Sequence, residues 1–224
     1  MKKVVVISVG GSIIVPGEVD SRFLSRLKKA MANVARKYRV VICTGGGFTA
    51  RNYITALKKA GIGRTAQDWI GIAVTRLNAQ LVSSYLDANG EIPVSVDGVK
   101  KLLKNNNVVV CGGLKPGRTS DGTTAEIAVA LKAHALINVT NVKGLYDKDP
   151  RKHKDAKFIP EITHAGFAKM IAKVKEGPGQ HFVLDSVAAG MARKAKMEVV
   201  ILQSMENLRN LLEGKKFTGT VIKN

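Results

Sequence analysis

The chain has 224 residues and a mass of 24.0 kDa, 45% of it apolar, which suits one large α/β domain or two tightly joined lobes and excludes a disordered chain. No apolar run approaches the ~20 residues of a bilayer span. Two cysteines, Cys43 and Cys111, are too few for a disulfide framework, and no Cys or His cluster has zinc-ligand spacing. The formal charge of +19 and pI near 10.1 would attract polyanions. However, the basic residues are spread along the chain and aromatics are only 5%, so we expect a solvated basic surface and disfavour a nucleic-acid partner.

Lys3–Val9 reads as a buried strand, because Gly10-Gly11 interrupts the β-branched run too early for a signal peptide; a cytoplasmic location is expected. Asp20–Lys37 reads as a helix, N-capped by Asp20, with Phe23, Leu24, Leu27, Met31 and Val34 at helical spacing. Arg39–Cys43 is a strand and Phe48–Ala60 a helix closed by Gly61. A long helix is expected from Ala66 or Gln67 to about Leu86. Ile70, Val74, Leu77, Leu81 and Tyr85 would run along one side, and Gly71 and Ala73 would allow close helix packing. Ile92–Val96 is expected as a strand, Val99–Lys104 as a short helix, Val108–Cys111 as a strand, Thr123–Ala133 as a helix and Ala135–Thr140 as a strand. Strands alternating with helices, and almost wholly apolar, imply a mainly parallel sheet covered on both faces.

Past Asn141 the rhythm changes. Asn141–Asp155 is polar and turn-rich. Helices follow at Ala165–Lys175 and Asp185–Ala195, with Gly177-Pro178-Gly179 as a break between them. A strand at Glu198–Leu202, a helix at Met205–Leu212 and a strand at Gly219–Ile222 complete the chain. With no repeat and no linker, residues 1–224 read as a single domain with a soft boundary near residue 140.

Three glycine-rich turns join a strand to a helix: Gly10-Gly11-Ser12, Gly45-Gly46-Gly47, and Gly112-Gly113 continuing through Leu114, Lys115, Pro116, Gly117, Arg118, Thr119, Ser120 and Asp121. Such turns expose backbone N–H groups at a helix N-terminus, where anions are favoured. The third adds Lys115, Arg118, Thr119 and Ser120 as donors and reads as a phosphate loop. Gly10 and Gly11 suit a tight turn needing positive φ, and three glycines at 45–47 suggest that something approaches the backbone closely. None of the turns is a Walker A or a Gly-x-Gly-x-x-Gly sequence. Arg51 stands one helical turn beyond the second. Arg64 and Asp68, four apart, read either as a helix-end ion pair or as a phosphate and ribose contact. In Thr140-Asn141-Val142-Lys143-Gly144-Leu145-Tyr146-Asp147-Lys148-Asp149-Pro150, Tyr146 offers a ring for a base and Pro150 restrains Asp149. The histidines form no triad and no serine sits in a nucleophile elbow, so nucleophilic and zinc chemistry have no support.

These motifs, in this order, resemble the amino acid kinase family. Arg64-Thr65, Asp68 to Gly71 and Thr75-Arg76-Leu77-Asn78-Ala79 narrow the similarity to its archaeal-type uridylate kinases. The resemblance implies a three-layer αβα sandwich and phosphoryl transfer from ATP to UMP with Mg²⁺. It also implies a homohexamer built as a trimer of dimers, an acceptor lobe over about 1–140 and an ATP lobe over about 141–224. It places Gly11, Ser12, Gly47 and Arg51 on the ATP phosphates, and Thr140, Asn141, Tyr146 and Asp149 on the base and ribose. Gly46, Asp68 and the loop Lys115–Asp121 would hold UMP, with Arg64 nearby. Ser12, Arg51 and Asp185 are the expected catalytic or organising residues. Two positions depart from the family pattern. Ser8 stands where many relatives have a first-strand lysine, and Lys143 where they usually have aspartate; we expect Lys143 to supply the charge missing at Ser8. The segment 177–185 departs as well. The same residues also fit a superfamily kinase for another small phosphate, such as isopentenyl phosphate, or a non-catalytic binding protein on this fold.

Overall fold

β1 (Lys3–Val9) sends Val5, Ile7 and Val9 into one apolar core and Val6 into another, all of them fully buried. A strand buried on both faces belongs in the middle of a three-layer structure. The computed structural model describes residues 2–173 and 183–224. After β1 come α1 (Gly11–Ile14), α2 (Ser21–Lys37), β2 (Tyr38–Thr44), α3 (Gly47–Lys59), α4 (Arg64–Leu86), α5 (Val96–Asn105) and β3 (Val108–Cys111). Then follow α6 (Ser120–Ala130), β4 (Ala135–Val139), β5 (Leu145–Tyr146), β6 (Phe158–Ile159), β7 (Glu161–Thr163) and α7 (His164–Lys173). The chain closes with α8 (Ser186–Lys194), β8 (Glu198–Leu202), α9 (Met205–Leu212) and β9 (Gly219–Lys223).

Among the described residues the main sheet has seven strands in the order β3-β2-β1-β4-β8-β9-β7. Every pairing is parallel except β8 with β9. Helices α2, α4 and α9 bury apolar faces in one core, and α5, α6, α7 and α8 in the other. The expected α/β sandwich is therefore present. β5 and β6 form a separate antiparallel pair, with Tyr146 and Phe158 ring centroids 5.5 Å apart, edge to face.

Local chemistry sets the boundaries. The Asp20 carboxylate accepts from Phe23 N at 2.8 Å and caps α2. Ser95, Thr119, Asp185 and Ser204 cap α5, α6, α8 and α9 in the same way. The expected strand at Ile92–Val96 is absent. Pro93 has no N–H to give a ladder, Val94 is 59% exposed, and the Ser95 hydroxyl takes Gly98 N at 3.0 Å to start α5 instead. The long helix begins at Arg64, and its buried stripe is rotated from expectation. Ile72, Val74, Thr75, Asn78, Ala79 and Val82 face inward, whereas Leu77 is 64% exposed. The sequence reading missed β7. The expected break at 177–179 lies outside the described residues.

Cys43 and Cys111 are free, fully buried and paired across β2 and β3, Sγ to Sγ 3.3 Å. The hydrogen bond to Cys43, then burial, holds the Cys111 thiol well above its ordinary range.

Gly10 and Gly11 do not need positive φ. A Cβ on Gly11 would lie 2.1 Å from Gly47 N and 2.6 Å from Gly45 O, and one on Gly45 2.5 Å from Gly11 N. The close approach read into Gly45-Gly46-Gly47 is made by the backbone of the neighbouring Gly11 turn. Gly47 adds a φ of +64°. We expect Gly11→Ala to cost at least about 2 kcal/mol, lowering Tm by roughly 4–8 °C. Gly17→Ala, with nothing within 4 Å, should stay within about 0.5 kcal/mol. Thermal denaturation of the two variants checks this, and equal melting temperatures would contradict it.

Candidate active site

In a parallel sheet all strands end on one edge, and ligands of open α/β folds bind there. β1, β2, β3 and β4 each end on this edge in a glycine turn or in Thr140-Asn141. Helix α4 braces these turns with polar groups on its buried face. Asn78 Nδ2 donates to Gly45 O at 2.8 Å, and Thr75 Oγ1 accepts from Gly113 N at 2.7 Å. Arg76 donates from Nε to Gly113 O at 2.9 Å and from its guanidinium to Leu114 O at 3.2 Å, while the Thr44 hydroxyl donates to Thr75 O at 2.8 Å. The sequence reading gave Thr75, Arg76 and Asn78 no role of their own. The available signal was polar residues interrupting a helical apolar pattern.

The structure joins two motifs that lie far apart in sequence. Gly117 N donates to the Asp68 carboxylate at 2.8 Å, tying the 112–119 loop to the start of α4. Gly117 has a φ of +73°. Arg64, at the first position of α4, is exposed. Lys115 and Arg118 both face Glu126, at 2.7 and 3.8 Å. Thr119 spends its hydroxyl as the cap of α6, accepting from Gly122 N at 2.9 Å and donating to Asp185. The N-terminus of α6 is therefore occupied by the protein's own groups. The N-cap of α3 is Gly46, with no side-chain cap; Phe48 N is taken by Val15 O at 3.0 Å, and the helix N-terminus faces the edge with its dipole favouring an anion. Ser12 is half-buried in the first turn and Arg51 is exposed on α3.

Between these loops sits a buried polar row. Ser8 on β1 is flanked by Cys43 on β2 and Asn138 on β4. Ser8 Oγ donates to Asp121 Oδ1 at 3.1 Å, and Asn138 Nδ2 donates to Val183 O just ahead of Asp185. Asp185 Oδ1 caps α8 by accepting Ala188 N at 2.7 Å. Burial, and then the charge of Asp185, push the Asp121 carboxyl up to about 7, against the Ser8 hydrogen bond. Lys143 is exposed in the turn after β4. The residue that Ser8 touches is Asp121, a group the sequence reading had placed only in the UMP loop.

On the other flank, Thr140 N donates to Leu202 O at 2.9 Å, and Asn141 O accepts from Gln203 Nε2 at 3.1 Å. Leu145 N donates to Thr220 Oγ1 at 2.8 Å, setting Tyr146 beside Phe158. The Asp149 carboxylate takes Arg151 N and Nε at 3.0 and 3.1 Å, and Arg151 holds it below the usual carboxylate range.

The class is thus a three-layer α/β sandwich whose candidate site is built from loops at the carboxyl ends of parallel strands. Residues 3–203 match the amino acid kinase family, to which this chain belongs. It is 37% identical to the uridylate kinase of Thermoplasma volcanium over 99% of this chain and 98% of that one. The crystal structure of uridylate kinase from Archaeoglobus fulgidus superposes with a TM-score of 0.89 at 33% identity, covering 99% of this chain and all of that one. The UMP kinase of Ureaplasma parvum shares the fold at a TM-score of 0.84 and 20% identity.

A carboxyl whose folded pKa is raised stabilises the fold fully below its unfolded value and loses that contribution as pH rises through the folded one. Ligand-free protein should therefore lose about 2–3 kcal/mol between pH 5 and 8 through Asp121. Asp121→Asn should remove most of that slope. Urea denaturation at the two pH values checks it, and equal slopes in the two proteins would refute the assignment.

Proposed function

We propose that this chain is a UMP kinase, moving the terminal phosphoryl group of ATP to UMP to give ADP and UDP in cytoplasmic pyrimidine nucleotide biosynthesis. The observation that carries this reading is the Asp68–Gly117 hydrogen bond. It brings together the two motifs that the family resemblance assigns to the acceptor, in a chain similar to uridylate kinases over nearly its whole length.

The chemistry asks for alignment and charge neutralisation more than for covalent participation. A UMP phosphate oxygen attacks the γ-phosphorus in line as the bond to ADP breaks, and negative charge spreads over the transferred group. In our reading Gly11, Ser12, Gly47 and Arg51 hold the ATP phosphates. Thr140, Asn141, Tyr146 and Asp149 hold the base and ribose. Gly46, Arg64, Asp68 and the 115–121 loop hold UMP. Preset backbone donors cost no reorganisation during the reaction. Asp185 acts as organiser through the Thr119 hydroxyl and its own cap. Among the described residues no group of three acids, histidines or cysteines is arranged to hold a metal. That suits Mg²⁺ carried on nucleotide phosphates with its water, which neutralises phosphate charge when bound.

The homo-oligomer belongs to the same proposal. Helices α3 and α4, packed on each other, leave Phe48, Tyr53, Trp69 and Leu77 exposed, apolar side chains that a subunit contact would cover. Light scattering should report an assembly larger than one chain, and Leu77→Glu should shift it toward smaller species. A wild-type monomer would contradict this.

An ADP-release assay with UMP, CMP, AMP and isopentenyl phosphate tests the acceptor. UMP should turn over fastest. Asp68→Ala should raise the UMP KM about tenfold or more with the ATP KM within twofold, as expected for loss of an interaction made on the acceptor side alone. Faster turnover of another acceptor would replace this reading.

A further inference from the structure

The candidate site uses the carboxyl edge of the sheet, and the amino edge takes no part in it. Parallel topology gathers on that amino edge cations that are widely separated in sequence. β1 is entered through Lys2 and Lys3, and β2 through Arg36 and Lys37. Lys104 precedes β3, Lys132 precedes β4, and Lys194 and Lys196 precede β8; all of these side chains are exposed. Their proximity is visible in the contacts. Lys2 Nζ donates to Ala35 O at 2.9 Å and Asn107 Oδ1 at 3.2 Å, and Lys3 Nζ lies 3.5 Å from His134 Nε2. In these entry segments Glu198 is the one carboxylate. Glu213 feels Lys37, but its ion pair is with Lys215.

Several cations of the carboxyl edge face carboxylates, although the exposed Arg51, Arg64 and Lys143 do not. Lys115 and Arg118 face Glu126, Lys148 faces Asp155 and Arg151 faces Asp149. Among the described residues none of the amino-edge cations named above has a carboxylate partner. Helix ends account for some of them. Arg36, Lys37, Lys104 and Lys194 occupy last turns, where cations offset the helix dipole. Lys2 serves α2 in the same way through the last-turn Ala35 carbonyl, Lys132 and Lys196 stand just past the C-caps of α6 and α8, and Lys3 has no helix-end role. Lys132 and Lys196 also adopt φ of +48° and +51°, a conformation after a helix that glycine takes without strain. The chain holds a lysine in both places.

We propose that the amino edge binds the phosphate backbone of a nucleic-acid duplex. Five adjacent strands, β3 to β8 in sheet order, spread the charges over roughly 20 Å at about 4.8 Å per strand. That span exceeds one nucleotide's phosphates and matches a run of phosphates on one face of a duplex. Tyr38, the aromatic residue of these segments, is half-buried, so the stacking platform that favours single strands is missing. Among the described residues Val129, 38% exposed in the last turn of α6, is the large apolar side chain exposed beside these segments, too little to insert into a bilayer. Contact is with backbone phosphates and without sequence readout.

The test is fluorescence anisotropy with a labelled DNA duplex about two helical turns long, using the full chain and a Lys2→Gln, Lys132→Gly, Lys196→Gly variant. Glycine relieves the two positive-φ positions, so this variant folds, and its ADP-release activity should equal wild type. Wild type should bind with affinity that falls steeply with salt, and the variant should bind about tenfold or more weakly with a salt slope shallower by roughly 2–3. ATP and UMP should not compete. Any one of four results overturns the proposal: no duplex binding at low salt, equal binding by the variant, competition by ATP or UMP, or tighter binding of single strands or anionic lipid vesicles than of duplex.

Discussion

Two strand-to-helix turns touch backbone to backbone at the centre of this molecule, and the remainder of the functional edge is arranged around that contact. Gly11 meets Gly45 and Gly47 at distances that no Cβ fits. The contact draws the ends of β1 and β2 together and leaves their amides side by side. Glycine has a high conformational entropy cost, and here that cost secures an approach of main chains rather than a bend. Several of these amides are spent within the protein, Gly10 N on Val139 O, Gly45 N on Val9 O and Phe48 N on Val15 O, which locks the two turns in place.

Helix α4 converts the contact into a rigid frame. Its buried face carries Thr75 and Asn78 among apolar residues, and each hydrogen-bonds the end of a different strand turn. Arg76 grips the third turn through two carbonyls. The same helix reaches beyond the sheet to place Asp68 on the Gly117 loop. One element thus connects the second and third turns and, through Asp68, the proposed acceptor loop that continues the third. Opposite it, α6 and α8 present N-termini already capped by Thr119 and Asp185. Asp121 lies at the midpoint of the edge beside Asp185, hydrogen-bonded by Ser8. On this edge the N-termini of α6 and α8 are capped by side chains, whereas α3 begins without a side-chain cap.

The inner strands were legible in the sequence because burial on both faces leaves an unbroken β-branched run, as in Val4–Ile7 and Val199–Leu202. Asp20 was legible as a cap because its chemistry is local. Ile92–Val96 was misread because apolar content does not reveal whether a ladder partner exists, and Pro93 with Ser95 outweighed it. The face of α4 was misread because Leu77 fits the apolar period, whereas Thr75 and Asn78 are buried for their hydrogen bonds. Gly45-Gly46-Gly47 was read as a close approach and Gly10-Gly11 as a positive-φ turn; the structure makes Gly11 a close approach too, and the partner in both cases is the other turn, a fact of tertiary structure. The site residues themselves were named through family resemblance, and their hydrogen bonds to one another needed the fold. The basic residues looked scattered because the spacing that unites them is across strands.

If two nucleotides meet across this edge, a single molecule with adenosine and uridine joined by a chain of phosphates should occupy both positions at once. Calorimetry with such a bisubstrate compound is the most direct measurement. The account predicts one molecule per chain, bound more tightly than ATP or UMP alone and displaced by either. Displacement by only one of them, or two molecules bound per chain, would mean that the loops after β1 and β2 and the Asp68–Gly117 loop serve separate sites.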